Sequence, residues 1–265
     1  MSESNPLSQW KETVSMAFPN LSRPQATVLA LWSYGMVIAK SCGITTVCAA
    51  LAIQLTCSEG SVTQRLREWC YDAKDKKGAK RQALEVTTCF APLLAWVLSL
   101  WPVGEHHLAL AIDASTLTKR FTVLCVSVVY RGCAIPVAWK IVAAEAKGSW
   151  QPHWKGLLTQ VQGGVPASWT VIVLSDRGLY APWLYRHIVS LGWHPFMRIN
   201  KQGNFRPLTE TRFRGLATAV PEVNGAWCGE VECFSEAKSR LCCSLLARWD
   251  EGYEDVWLVV TDAGT

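Results

Sequence analysis

Two aspartates stand at the carboxyl ends of short apolar runs of β type, Leu108-Ala109-Leu110-Ala111-Ile112-Asp113 and Val171-Ile172-Val173-Leu174-Ser175-Asp176. A carboxylate in such a place is costly unless a metal or a partner meets it. If the two strands lie side by side, the carboxylates converge at one edge of a sheet and offer hard oxygen ligands to Mg²⁺ or Mn²⁺. Metal-assisted phosphoryl transfer starts from such a pair.

The other reactive side chains are less organised. The eleven cysteines are scattered, the only adjacent pair is Cys242-Cys243, and no C-x-x-C spacing suggests zinc or redox chemistry. They are expected mostly as reduced core residues, since a free thiol packs as a small hydrophobe. His106 and His107 alternate across a strand and do not share a ligand position.

With 265 residues, half of them hydrophobic, and 14 Trp, the chain has enough apolar mass for one large domain or two ordinary ones, which excludes disorder as the dominant state. A net charge of +5 permits nucleic-acid binding but falls short of the footprint of a dedicated binder. The first residues, Met1-Ser2-Glu3-Ser4-Asn5-Pro6, lack a charged segment followed by an apolar one, so no signal peptide is expected and a bacterial cytoplasm is the natural compartment. The apolar stretches at 45–55 and 84–100 are short or interrupted, as in core helices, so no membrane partner is expected.

The first hundred residues read as helices. Pro24 follows Ser22-Arg23 in a helix-starting position, and Val28, Leu31, Trp32 and Met36 recur at helical spacing over 24–40. A second helix is expected over 45–55. Ser58-Glu59-Gly60-Ser61 gives a turn and cap before a short helix over 62–71, with Gln64, Arg65 and Arg67 toward solvent and Val62, Leu66, Trp69 and Cys70 inward. This outline fits a helix-turn-helix in which Arg65 and Arg67 contact DNA, and it equally fits plain helical packing. The run 74–81, with Lys76 and Lys77, is a solvated linker or a phosphate-contacting arm. An amphipathic helix over 82–100 ends at Trp101-Pro102-Val103-Gly104, which sets the boundary of a helical N-terminal domain, 1–104, with DNA-end binding as its candidate role.

From His106 the pattern changes to period two. Strands are expected at 108–112, 121–130 and 133–139, then a helix over 150–161, a strand at 170–174, a helix over 181–191 and a strand at 194–199. Three antiparallel strands, helix, strand, helix, strand is the order of elements in the ribonuclease H-like fold, where the first and fourth strands are neighbours. The fold class is therefore α/β (α+β), with a mixed ribonuclease H-like sheet over 105–199. Strands at 226–234, 240–248 and 256–261 make a β-rich appendage over 200–265.

Three segments, Ala111-Ile112-Asp113-Ala114-Ser115-Thr116, the hairpin from Val128 to Trp139, and Leu174-Ser175-Asp176-Arg177-Gly178-Leu179-Tyr180, resemble the DDE transposases of bacterial insertion sequences. The likeness is to the group with a β-insertion before the third acid, and it spans about residues 106–262. It implies Asp113 and Asp176 as catalytic acids and ligands of Mg²⁺ or Mn²⁺. It also implies double-stranded DNA, both element ends and target, as substrate, and a homodimer within a DNA complex, in a nucleoid-associated setting. The N-terminal third carries no residue over.

The family's third acid is a Glu on a helix after the insertion, within a Tyr, Arg, Glu, Lys pattern. No Tyr-x-x-Arg-x-x-x-Glu occurs here, and Tyr185-Arg186 is followed by His187, Ile188 and Val189. The chain thus reads as C-terminally truncated, frameshifted, or half of a two-frame gene. Glu145, Glu230 and Glu232 are surrogate acids or surface residues. Arg177 contacts a phosphate or pairs with Asp176. Arg198, Lys201, Arg206, Arg212 and Arg214, interleaved with Phe205 and Phe213, contact DNA or form a solvated basic loop. Trp227, Trp249 and Trp257 stack on an unpaired base or pack in the core. Three functions follow: an impaired transposase, a non-catalytic DNA-binding remnant that occupies element ends or inhibits the full-length enzyme, and a ribonuclease H-like nuclease of another lineage.

Overall fold

The computed structural model describes residues 5–77, 82–146 and 148–262. Gly78, Ala79, Lys80 and Arg81 of the basic run, the first four residues and the last three lie outside the described residues. The chain divides into two compact units between Leu100 and Trp101, four residues before the boundary drawn from the sequence.

In the first unit, α1 (Pro6–Ala17), for which the sequence pattern gave no expectation, starts where Asn5 Oδ1 accepts the Leu7 amide at 3.0 Å. α2 (Arg23–Ala39) starts at Ser22, whose amide donates to Gln25 Oε1 at 2.9 Å. α3 (Ile44–Leu55) follows a 98° bend, and α4 (Glu59–Trp69) is capped by Ser58. Between α3 and α4, Thr56 takes the left-handed conformation at φ 53°. Leu31, Val47, Leu51, Val62 and Leu66 form the shared core of α2, α3 and α4. Each such side chain contributes roughly 1.5–3 kcal/mol on burial. Gly35 lies at the α2–α3 crossing, where an added Cβ would come within 2.8 Å of Leu51 and Val47.

Two expectations are corrected here. Cys70 is exposed rather than inward, because α4 ends at Trp69. The helix over 82–100 begins only at α5 (Phe90–Ser99), after a 3-10 turn at Val86–Cys89. Glu85 accepts from the Thr87 hydroxyl at 2.7 Å and fixes that turn, while Pro92 falls in the first turn of α5, where a missing amide donor costs little. No single helix among the described residues is long and apolar enough to cross a membrane.

The second unit contains β1 (His107–Leu117), β2 (Phe121–Tyr130), β3 (Cys133–Ala143), α6 (Gln151–Gln162), β4 (Thr170–Ser175), α7 (Pro182–Ser190), β5 (His194–Ile199), β6 (Asn204–Pro207), β7 (Arg214–Gly215), β8 (Gly225–Cys233), β9 (Leu241–Trp249) and β10 (Trp257–Thr261). All ten strands form one sheet in the order β3-β2-β1-β4-β5-β10-β9-β8-β6-β7. β1, β4 and β5 are mutually parallel, and the other pairings are antiparallel. The first five strands have the ribonuclease H-like order and directions. The segment after residue 200 is not a separate appendage: β10 pairs with β5 and continues the sheet. The short β6 and β7 lie too close to polar, basic sequence for alternation to reveal them.

Strand alternation sorts the sheet into two faces. Leu108, Leu110 and Ile112 of β1, Val126 and Val128 of β2, and Val171 and Val173 of β4 are buried on one face. α6 contacts β2 and β3, α7 contacts β5, and the two helices bury Trp154, Leu158, Leu184 and Ile188. On the other face Asp113, Trp139, Ile141 and Ile172 are exposed.

Cysteines depart from the core expectation: Cys48, Cys233 and Cys243 are buried, while six of the eleven are exposed. A hydrogen bond with Cys233 and burial push the Cys243 thiol well above its ordinary pKa. At the end of β8, Phe234 adopts a left-handed φ of 63°, which is unfavourable for a bulky side chain. Its amide donates to the Asn204 carbonyl at 2.8 Å, and its ring stacks on Tyr180 with centroids 5.4 Å apart.

Candidate active site

The parallel ladders put three charged residues in a row. Ile112 is paired with Ser175, and Ser175 with Met197. One residue further on, Asp113, Asp176 and Arg198 follow one another across β1, the end of β4 and β5. The row continues on either side, since Asp113 pairs with Cys125 of β2 and Arg198 with Val259 of β10.

Both aspartates are exposed. The Ser115 hydroxyl, two residues along β1 and so on the same face, donates to Asp113 Oδ2 at 2.6 Å. Asp176 begins a turn in which the Gly178 and Leu179 amides donate to its Oδ1 at 3.0 and 3.1 Å. One oxygen of each carboxylate is thereby fixed. The second makes no hydrogen bond among the described residues, and neither aspartate is ion-paired there. Arg177 therefore does not neutralise Asp176. Two oriented carboxylates with free oxygens on neighbouring strands fit a hard, oxygen-preferring divalent cation. Among the described residues, no group of three or more His, Cys, Asp or Glu comes together to hold an ion.

The surrogate acids differ in availability. Glu145 and Glu230 are exposed. Glu232 is engaged by Arg206, whose Nε and Nη2 donate to Oε2 at 2.8 and 2.6 Å.

The basic residues separate in the same way. Arg206 is held by Glu232 and lies over Phe213, Arg214 is near Glu210 at 3.7 Å and over Phe205, and Lys201 bonds Asp255 at 2.5 Å. Lys76 donates to the Trp69 and Gln82 carbonyls at 3.2 and 2.7 Å. Arg65, Arg67, Lys77, Arg177 and Arg212 are exposed and without an ion pair among the described residues. Arg198 stacks on Trp257, its guanidinium 3.8 Å from the ring centroid. That pairing and Ser115 escaped the sequence reading; only the i, i+2 spacing of Asp113 and Ser115 signalled the second.

Of the three tryptophans, Trp227 is half-buried against Phe205, and Trp249 donates to the Tyr253 carbonyl at 2.9 Å. Trp257 is 42% exposed and, with Phe196, Leu246, Tyr253 and Val259, lines an apolar groove of about 540 Å³.

No family model matches the chain, and no curated protein matches it. Solved structures of transposase assemblies align with it. The synaptic complex of piggyBac transposase with hairpin DNA aligns over 98% of this chain and 58% of its own, at 9% identity and a TM-score of 0.41. The Mos1 strand transfer complex aligns over 63% and 56%, at 13% identity and a TM-score of 0.23. A pre-cleavage Mos1 transpososome aligns over 64% and 58%, at 14% identity and a TM-score of 0.19. The chain thus spans less than two thirds of the length of each.

Proposed function

We propose that the chain is a transposase-type protein of a bacterial insertion sequence that acts on double-stranded DNA at element ends and target, as a homodimer in its DNA complex. Asp113 and Asp176 would hold Mg²⁺ or Mn²⁺, which when bound supplies charge stabilisation to a phosphodiester undergoing in-line displacement. The chain's own contribution is orientation. The amides of Gly178 and Leu179 and the Ser115 hydroxyl fix one oxygen of each acid and leave the other open. The observation that carries this reading is the placement of Asp113 and Asp176 one residue beyond the paired Ile112 and Ser175.

A second reading, DNA binding without catalysis, is favoured by Arg65 and Arg67 on α4, exposed and without an ion pair among the described residues, next to the capped turn at Ser58. Nicking of supercoiled plasmid with Mn²⁺, run beside Mn²⁺ binding by calorimetry, separates the two. With two of the three acids that the resemblance implies, the site is an impaired one: the transposase-type reading predicts Mn²⁺ binding that Asp113→Asn and Asp176→Asn abolish, with nicking weak or absent and any residual nicking lost in the same variants. Plasmid binding with Mn²⁺ affinity indifferent to both substitutions would leave only the second reading.

A further inference from the structure

Arg198 follows Met197 and Asp176 follows its partner Ser175, so both stand one residue beyond the last pair of the β4–β5 ladder, yet the two form no ion pair. An unrestrained arginine beside an exposed carboxylate closes onto it through two parallel hydrogen bonds. Here the half-buried Arg198 lies with its guanidinium over the face of Trp257 at 3.8 Å, a cation–π contact that holds it there. On that perch it borders a cavity of about 60 Å³ shared with Arg177, Asn200, Lys201, Gln202 and Asp255. The one carboxylate there, Asp255, is taken by Lys201 at 2.5 Å. Arg177, in the turn after β4, and Arg198, on β5, both line this cavity and have no acidic partner among the described residues. Their mutual repulsion is relieved by an anion. By its volume the cavity has room for a few waters or one small anionic group.

We propose that Arg177 and Arg198 form a subsite for one backbone phosphate of a nucleic-acid strand, next to the aspartate pair, and that Trp257 is a positioning residue that keeps Arg198 off Asp176. The inference rests on the DNA-acting reading above and deepens it. A strand whose phosphate sits between the two guanidinium groups runs past Asp176, so the subsite fixes its register relative to the acids. Asn200 and Gln202 add neutral donors, and Arg suits the task because its planar fork matches phosphate oxygens.

The test uses the full chain in EDTA, with fluorescently labelled duplex DNA titrated across a salt series, so that the subsite is read without any metal. Arg177→Ala and Arg198→Ala should each reduce the slope of log affinity against log salt by about 0.9, the value for one phosphate contact. Lys201→Ala, whose charge is already paired, should leave the slope unchanged, and Arg198→Lys should restore most of the lost slope while losing affinity. Trp257→Ala should lower the slope like Arg198→Ala and also weaken Mn²⁺ binding several-fold, because Arg198 then closes onto Asp176; the double variant Trp257→Ala/Arg198→Ala should recover the Mn²⁺ affinity. That recovery distinguishes positioning from general loss of structure. Slopes equal to wild type in both arginine variants overturn the subsite, as does inorganic phosphate saturating the wild-type chain with those slopes unchanged, which would mark a free-anion site. A wild-type chain that binds no Mn²⁺ would count against the metal-dependent reading alone, since the DNA slopes stand without it.

Discussion

Asp176 and Arg198 each stand one residue beyond the last β4–β5 pair, Ser175 and Met197, and are not joined by an ion pair. The carboxylate takes its hydrogen bonds from the backbone of its own turn, and the guanidinium rests on an aromatic ring. Charge opposite charge is thus held apart, which keeps the aspartate available to a cation.

Asp176→Asn separates the structural from the chemical role of that residue. The amide oxygen of Asn accepts the same two backbone donors, so thermal stability should change by less than about 1 kcal/mol. Mn²⁺ affinity should fall at least tenfold, about 1.4 kcal/mol. Calorimetric titration beside a melting curve checks both; a collapse of the fold in Asp176→Asn would refute the division.

Arg206 and Arg212 are six residues apart and should behave oppositely. Arg206 is tied to Glu232, so Arg206→Ala should cost about 2 kcal/mol by leaving a mostly buried carboxylate alone, with little effect on the salt slope of DNA binding. Arg212 is exposed and has no ion pair among the described residues, so Arg212→Ala should spare stability. Denaturant titration of both variants settles the first half, and the slope of binding in salt shows whether Arg212 meets a phosphate.

Gly35→Ala should destabilise the helical unit by about 1–3 kcal/mol, since the added methyl meets Leu51 and Val47 within a tightly packed crossing. The change is readable by far-ultraviolet circular dichroism in denaturant. An unchanged midpoint would mean that α2 and α3 separate at no cost.

His187 carries a pH dependence with a definite sign. Burial lowers its pKa below the ordinary 6.5, outweighing its ring contact with the Lys155 carbonyl at 3.4 Å. The unfolded chain binds that proton more readily, so the contribution to stability is complete above 6.5 and is lost as pH falls through the lower folded value. The thermal midpoint should therefore drop on acidification more steeply in the wild type than in His187→Gln.

Much of the second unit was legible because alternation is a strong signal where one face of a strand is buried. β2 and β5 fall on the residues that alternation marked, and β1, β4, α6 and α7 come within a few residues of them. β3 runs four residues past the expected end, through Lys140 and Ile141, because edge strands tolerate exposed side chains that hide the period. The joining of β10 to β5 was not legible, since strand partners distant in sequence leave no local mark. Nor were the states of individual charges: the same run of arginines yields Arg206 held in a salt bridge, Arg198 on a ring and Arg212 free in solvent.

The left-handed Phe234 has a consequence for how this sequence can drift. A side chain at Gly203, itself at φ 151°, would come within 3.1 Å of the Phe234 ring and 2.9 Å of Leu216, and the same ring stacks on Tyr180. Phe234 pays for an unfavourable backbone of order 1–2 kcal/mol with these contacts. Positions 180, 203 and 234 therefore vary jointly or not at all: a substitution accepted at one resets which residues are tolerated at the other two. Because Tyr180 lies four residues after Asp176, a neutral change in the β8 turn alters the background on which the aspartate loop is selected.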